Sequence, residues 1–171
     1  MDRSRRELIG SLAASGALLA ATSATQASPA AIDLAEIKKE TDIACLYHCD
    51  FGDPQRFSQM LQNMLNHYSA YAFDSFKLKL VVVAHAAGVK FFLEDRSGTP
   101  WEKDTIDPEL YQRFAGLAKY GVEGYLCQIT YKRLNIDLAK TRKDAFLKFV
   151  PSGVATVAEL QSKGFAYIKT G

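Results

Sequence analysis

Hydrophobic and polar positions divide most of the chain into alternating strand-like and helix-like segments. Continuous apolar runs rich in β-branched residues predict buried strands at 41–49, 78–84, 122–128, 147–150 and 165–169. Apolar residues at helical spacing predict helices after Asp53-Pro54 and Asp107-Pro108, where the carboxylate caps the helix and proline starts it. Strands that alternate with helices imply a parallel sheet covered on both faces. The pattern therefore predicts an α/β fold, a flavodoxin-like three-layer sandwich around a mainly parallel five-stranded sheet.

Several shorter segments receive predictions of their own. Their patterns favour a helix packed on the sheet at 88–93, a loop or lid at 94–106, and a helix at 129–134. The basic segment 140–148 is expected to be the solvated face of a helix. The capping-box sequence at 156–159 is expected to start a last helix, which ends at Gly164.

The first 27 residues have the features of an export signal. A basic start precedes a weakly apolar stretch, and small residues surround Ala27. The run Ser4-Arg5-Arg6-Glu7-Leu8-Ile9 is similar to the twin-arginine signal. The apolar stretch is too diluted by Ser, Thr and Gly for a permanent membrane span, and an uncleaved or disordered tail is the alternative. We predict a signal peptide at 1–27, a lead-in at 28–40, one domain at 41–171, and a periplasmic location.

Composition and charge exclude several classes of protein. Of the 171 residues, 48% are hydrophobic and 23% charged, and the net charge is only +2. These values are ordinary for a globular domain, and the small net charge does not indicate a basic surface that binds nucleic acid. Because the chain has no Gly-x-Gly-x-x-Gly, P-loop, Cys-x-x-Cys or nucleophile-elbow serine, no cofactor is predicted. Its three cysteines are too few for a disulfide framework.

Unusual residues stand where three predicted strands end. The first strand ends in His48-Cys49-Asp50, the second is followed by His85, and the third ends at Cys127. Because ligands bind beyond the carboxyl ends of parallel strands, a strand order beginning 2-1-3 would bring these residues to one rim. His48, Cys49, His85 and Cys127 are metal-ligand types, but their spacing matches no standard signature, and we assign no metal.

Each candidate residue also has a structural explanation. Cys127 alone could be a small buried hydrophobe, and His85 could cap the next helix or bond a backbone carbonyl. Cys45 lies within an apolar run and is expected to be inert. A Cys45–Cys49 disulfide would have to span about 13 Å along a strand, whereas Cys49 and Cys127 could pair on adjacent strands. Alkylation is expected to label Cys127 first, Cys49 next and Cys45 last.

The order of these segments resembles that of the DsrE/DsrF-like family. Residues 43–66, 80–91 and 125–128 resemble the family's first three strands with their adjoining helix and turn, and residues 150–154 and 159–169 resemble its C-terminal end. The resemblance implies a sandwich around a parallel sheet and assembly into oligomers, commonly trimers or hexamers. In members that handle sulfur, a cysteine of the third strand carries it as a persulfide, and Cys127 occupies that place. The export signal and the Ala-His-Ala-Ala-Gly turn at 84–88 differ from the sulfur-relay members.

The sequence therefore predicts a periplasmic sulfur-binding or sulfur-transfer protein that carries a persulfide on Cys127. A helix starting after Cys127 would favour its thiolate, and His85 or His48 could act as the base. The alternative is a non-catalytic oligomeric module that binds a ligand or metal at the rim; whether the protein is an enzyme stays open. The expected partners are further copies of the chain and a sulfur donor or acceptor, with no stable membrane anchor. Aromatic residues on several sides of the first helix and just beyond it support an oligomer: Phe57, Tyr68, Tyr71, Phe73 and Phe76.

Overall fold

Six parallel strands form one sheet in the computed structural model, which describes residues 28–171. The strands are β1 (Ala30–Ala31), β2 (Ile43–Cys49), β3 (Leu78–Ala84), β4 (Glu123–Cys127), β5 (Leu147–Val150) and β6 (Ala166–Ile168). Their order across the sheet is β1-β5-β4-β3-β2-β6. The predicted flavodoxin-like fold class is confirmed, with six strands instead of five because β1 lies in the predicted lead-in. The predicted signal peptide at 1–27 lies outside the described residues.

Helices cover both faces of the sheet and complete three layers. They are α1 (Pro54–Ala70), α2 (Pro108–Leu117), α3 (Gln128–Arg133) and α4 (Gly153–Ser162), with a 3-10 helix at Ala86–Phe92. Alternate residues of β2 point to opposite faces: Tyr47 joins the larger core under α1 and α2, and Leu46 joins the smaller core under α4. In the described part of the chain, no helix is long and apolar enough to cross a membrane.

The predicted helix starts at the two Asp-Pro pairs are confirmed. The Asp53 carboxylate accepts a hydrogen bond from Arg56 N at 2.7 Å, and the Asp107 carboxylate accepts one from Glu109 N at 2.9 Å. Proline lacks a backbone N–H, but the first turn of a helix has no acceptor for one. In each pair, Asp therefore caps the helix and Pro starts it. The segment 88–93 is helical, but within a 3-10 helix that starts at Ala86.

Two predictions for the C-terminal third are wrong. The segment 140–148 forms no helical face, because Thr141 makes an antiparallel bridge to Leu93 and the chain then runs into β5. The capping box at 156–159 does not start α4. Ser152 caps that helix instead, and the Thr156 hydroxyl donates a 2.7 Å hydrogen bond back to Ser152 O.

The strand order also corrects the expectation for the rim. The predicted first, second and third strands are β2, β3 and β4. An order beginning 2-1-3 would put β2 in the middle, and it is wrong because β3 pairs with β2 on one side and with β4 on the other. β3 is apolar on both faces and buried along almost its whole length, which suits a central position. Cys49 and Cys127 therefore end strands that are not neighbours. They form no disulfide, and all three cysteines are free thiols.

The aromatic residues of α1 do not spread over several sides. Phe57 and Tyr68 are fully buried, together with Met60 and Met64 on the same helical face. This single buried stripe explains them without a partner chain, so that part of the argument for an oligomer is wrong. Exposed aromatic surface lies beyond the helix, where Phe76 is 91% exposed.

Candidate functional site

Three strand ends bring the predicted site residues to one rim of the sheet. The register pairs Cys49 with Ala84, and Ala84 with Leu126. The residues that follow these positions, Asp50, His85 and Cys127, therefore lie side by side, with about 4.8 Å between neighbouring strands. His85 occupies the middle of the rim, between the end of β2 and the end of β4.

A pair of histidines forms the centre of this rim. His48 Nε2 lies 2.6 Å from His85 Nε2, and both rings are half-buried. Burial lowers the pKa of His48, and burial together with the neighbouring His48 lowers the pKa of His85. Both rings are therefore uncharged at neutral pH, and one Nε2–H donates to the other Nε2.

Tyr167 orients the pair, and sequence reasoning missed it. Its hydroxyl lies 2.9 Å from His48 Nδ1, which leaves Nε2 of the same ring to face His85. Tyr167 belongs to β6, whose pairing with β2 brings together residues 119 positions apart. No local pattern could have indicated this contact, because it depends on which strand lies at the edge of the sheet.

The backbone around His85 is tightly constrained. Ala86 adopts a left-handed conformation with φ of 48°, unusual for a residue other than glycine. Its N–H donates a 3.0 Å hydrogen bond to Thr130 Oγ1 in α3. Gly153 packs α4 directly against the histidine, since a Cβ there would lie 2.7 Å from His85 Cβ. The His85 side chain makes no capping hydrogen bond to the following 3-10 helix, so capping does not explain this residue.

The three cysteines differ in what surrounds them. Cys45 and Cys49 belong to the larger buried core, where burial raises the pKa of both thiols, most strongly that of Cys49. The 3-10 helix seals Cys49, because a Cβ on Gly88 would lie only 2.9 Å from its Sγ. Cys127 is 5% exposed, but it belongs to neither buried hydrophobic cluster and lines an open cavity.

That cavity, of about 380 Å³, lies beside His85 at the end of β4. Its walls are mainly apolar, and Arg133 and Ser152 add polar groups at its edge. Trp101, from the segment predicted as a loop or lid, forms part of the wall. The Lys90–Asp104 ion pair, 2.6 Å long, ties this segment to the 3-10 helix. The cavity can therefore hold a small molecule, or the end of a partner's side chain, next to Cys127. The other lining residues are Ala86, Ala87, Ile129, Thr130, Leu134 and Val154.

A carboxylate joins the histidines on the opposite side of His85 from this cavity. One ligand atom each from His48, Asp50 and His85 lies within 4.8 Å of the others. Among the described residues, no cysteine belongs to this group. The four residues of metal-ligand type that the sequence offered are thus not brought together as one set. Asp50 was noted at the end of its strand but was not counted among the ligands.

Comparison with known proteins supports the fold and the family. A comparison with curated protein sequences finds no match. Among solved structures, a protein of unknown function from Methanobacterium thermoautotrophicum is similar, with a TM-score of 0.60 and 23% identity over 75% of this chain and 99% of that one. At this identity the likeness shows the fold alone. The sequence profile of the DsrE/DsrF-like family matches residues 17–170, nearly the whole length of the chain. The chain therefore belongs to the DsrE/DsrF-like family.

Proposed function

We propose that this protein binds and transfers sulfur in the periplasm and carries it as a persulfide on Cys127. The observation that supports this role is the position of the Cys127 side chain in the cavity wall beside His85. Cys45 and Cys49 lie inside the packed core, where a donor molecule would have to displace buried side chains to reach sulfur. Cys127 is thus the thiol that an incoming sulfur donor can approach.

The transfer requires a thiolate, a donor sulfur and a place for one proton. The proton of the Cys127 thiol moves to His85, and Sγ attacks the terminal sulfur of a persulfide or polysulfide donor. An Sγ–S bond forms while the S–S bond of the donor breaks, and the donor leaves as a thiolate that takes the proton from His85. The exchange consumes no oxidant or reductant, because a thiol and a persulfide simply exchange one sulfur atom.

His85 suits the role of base because it is held uncharged and in place. Burial and the neighbouring His48 lower its pKa, so the ring is uncharged at neutral pH, and it lines the same cavity as Cys127. The His48 ring and the Tyr167 hydroxyl continue the hydrogen-bond chain from His85 to the surface. We assign His85 as the base and His48 as the residue that positions it.

The location and the assembly belong to the same proposal. The periplasmic location rests on the sequence of residues 1–27, with its twin arginine and weakly apolar stretch. Assembly into a homo-oligomer is supported by apolar side chains left on the surface, Phe76 above all. The apolar residues Ile129 and Val154 at the edge of the cavity are also exposed, and they suit contact with a donor or acceptor protein.

Sulfur loading followed by intact-mass measurement tests the proposal. The protein is purified from the periplasmic fraction of its host, incubated with polysulfide, and compared with the variants Cys127→Ser, Cys45→Ser and Cys49→Ser. The expected result is a gain of about 32 Da on the wild type and on the two control variants, and no gain on Cys127→Ser.

Three outcomes would contradict all or part of the proposal. Sulfur that still adds to a folded Cys127→Ser protein would move the site to another residue. Absence of the protein from the periplasmic fraction would contradict the location alone. An unreactive wild type with an intact fold would favour the alternative function, a module that binds a ligand in the cavity beside Cys127 without chemistry.

A further inference from the structure

We infer that His48, Asp50 and His85 form a binding site for a divalent transition-metal ion of the zinc and cobalt class. The site lies on the opposite side of His85 from Cys127 and does not depend on sulfur loading. It uses two nitrogen ligands and one carboxylate oxygen, and no sulfur.

The three side chains converge, and within residues 28–171 the carboxylate has no other partner. One ligand atom from each residue lies within 4.8 Å of the other two. Among residues 28–171, no ion pair or side-chain hydrogen bond involves the Asp50 carboxylate. The nearby Arg56 guanidinium is engaged elsewhere: it stacks over the Phe51 ring at 4.1 Å and donates to Thr170 O at 2.8 Å. Asp50 is therefore free to bind a cation.

The donor set selects the kind of ion. Imidazole nitrogens favour Zn²⁺, Co²⁺, Ni²⁺ or Cu²⁺ over Mg²⁺ and Ca²⁺, which prefer oxygen ligands. Two histidines and one carboxylate leave coordination positions open, as in metal sites that also bind water or a substrate. Asp50 is exposed, so an ion and its open positions would face solvent.

The two rings can share an ion after their nitrogens separate and the rings turn. A tetrahedral ion about 2.0–2.1 Å from each nitrogen places the two Nε2 atoms roughly 3.3 Å apart. They now lie 2.6 Å apart and the ring centroids lie 4.8 Å apart, so the two Nε2 atoms point almost directly at each other. To share an ion, the nitrogens must separate by about 0.7 Å, and each ring must also turn so that its Nε2 lone pair faces the ion. Both rings are only half-buried, which leaves room for a movement of this size.

A metal-binding imidazole usually makes a hydrogen bond through its other ring nitrogen, and His48 has such a partner. Tyr167 hydrogen-bonds His48 Nδ1 at 2.9 Å, and a partner of this kind fixes the ring so that Nε2 faces the metal. Gly153 at the start of α4 lies against His85, since a Cβ at that position would be 2.7 Å from His85 Cβ. One of the three ligands, His48, is therefore already oriented toward the site by a second hydrogen bond.

Titration of the metal-free protein with Co²⁺ alone and with Zn²⁺ alone tests this site. Calorimetry should show one ion per chain, and bound Co²⁺ should give visible d–d bands without a thiolate charge-transfer band. His48→Ala, His85→Ala and Asp50→Asn should each weaken binding at least tenfold, and Tyr167→Phe should weaken it about tenfold. Asp50 is exposed and has no other side-chain partner among the described residues, so Asp50→Asn stays informative even where a histidine variant fails to fold.

Two controls separate this site from other metal-binding groups and from the sulfur proposal. His67→Ala removes the remaining histidine, which lies against Tyr47 away from the rim, and it should not change the affinity. Cys127→Ser should also keep full affinity, whatever its effect on sulfur loading. Wild-type protein that binds no Co²⁺ or Zn²⁺, binding that survives Asp50→Asn unchanged, or a thiolate charge-transfer band would overturn the inference.

Discussion

The end of β2 and the end of β4 flank the same histidine, yet they expose different chemical groups. At the end of β2, the 3-10 helix packs on Cys49 so closely that only the side chains of His48 and Asp50 remain accessible. At the end of β4, the chain enters α3 directly, and Cys127 lines a cavity of about 380 Å³. One side of His85 thus offers nitrogen and oxygen ligands, and the other offers sulfur.

This difference shows that the element packed over a strand end decides which side chain can act. Cys49 and Cys127 are both cysteines at the end of a buried parallel strand. What separates them is Gly88, whose missing side chain lets the 3-10 helix lie against the Cys49 carbonyl and sulfur. Sealing one thiol and leaving the other at a cavity would place the two proposed sites, of different chemistry, on either side of one histidine.

The largest effect is expected from filling the space that seals Cys49. In Gly88→Ala, the new Cβ would lie 2.0 Å from Cys49 O, a backbone atom that cannot move aside cheaply. We expect the free energy of unfolding to fall by at least about 3 kcal/mol, or the variant not to fold. Urea unfolding followed by circular dichroism measures the change.

Gly116→Ala is the matched control for that variant. Gly116 lies in α2, is exposed, and has no atom within 4 Å of the position that a Cβ would take. Alanine there should stabilise the protein by about 0.5–1 kcal/mol, since it favours the helix. A Gly88→Ala protein as stable as the wild type would show that the 3-10 helix does not seal Cys49 tightly.

The next largest effect concerns the rates at which the thiols react. Under native conditions, iodoacetamide should label Cys127 at least about a hundredfold faster than Cys49, a difference of ~2.7 kcal/mol, because Cys49 reacts only after local opening. Cys49 is fully buried and Cys45 is 3% exposed, so the structure changes the expected order and places Cys49 last. Peptide mapping by mass spectrometry at successive times gives the three rates.

A denatured sample is the control for this measurement. In urea the three thiols should react at similar rates, because the protection comes from the fold. Equal native rates for Cys49 and Cys127, or labelling of Cys127 only after unfolding, would remove the contrast between the two strand ends.

The contrast also explains how far the sequence could predict this molecule. The alternation of apolar strands and helices, and the caps at Asp53 and Asp107, are local features, and they predicted the fold class and two helix starts. The gathering of His48, His85 and Cys127 at one rim followed from the general rule that parallel strands end at the same edge.

Features that depend on tertiary contacts could not be predicted in the same way. The strand order depends on which strands pair, and it placed His85 rather than the end of β2 in the centre of the rim. Tyr167 reaches His48 only because β6 pairs with β2, and Asp50 counts as a ligand only once both histidines are near it. The sealing of Cys49 depends on a glycine 39 residues away, which the sequence pattern placed at the start of a predicted helix without indicating its contact with Cys49.

The smallest effect is expected when each sulfur is deleted in turn, and it measures the packing of the two strand ends directly. Cys49→Ala should lower the free energy of unfolding by about 1 kcal/mol, because it leaves a methyl-sized void among fully buried core residues. Cys127→Ala should change it by less than about 0.5 kcal/mol, since the lost sulfur only enlarges an existing cavity that solvent can fill. Urea titrations of both variants give the two losses, provided that the free energy of unfolding falls with urea concentration at the same slope in both. Equal losses would mean that Cys127 is packed as tightly as Cys49, and its role as the accessible thiol would then have to be abandoned.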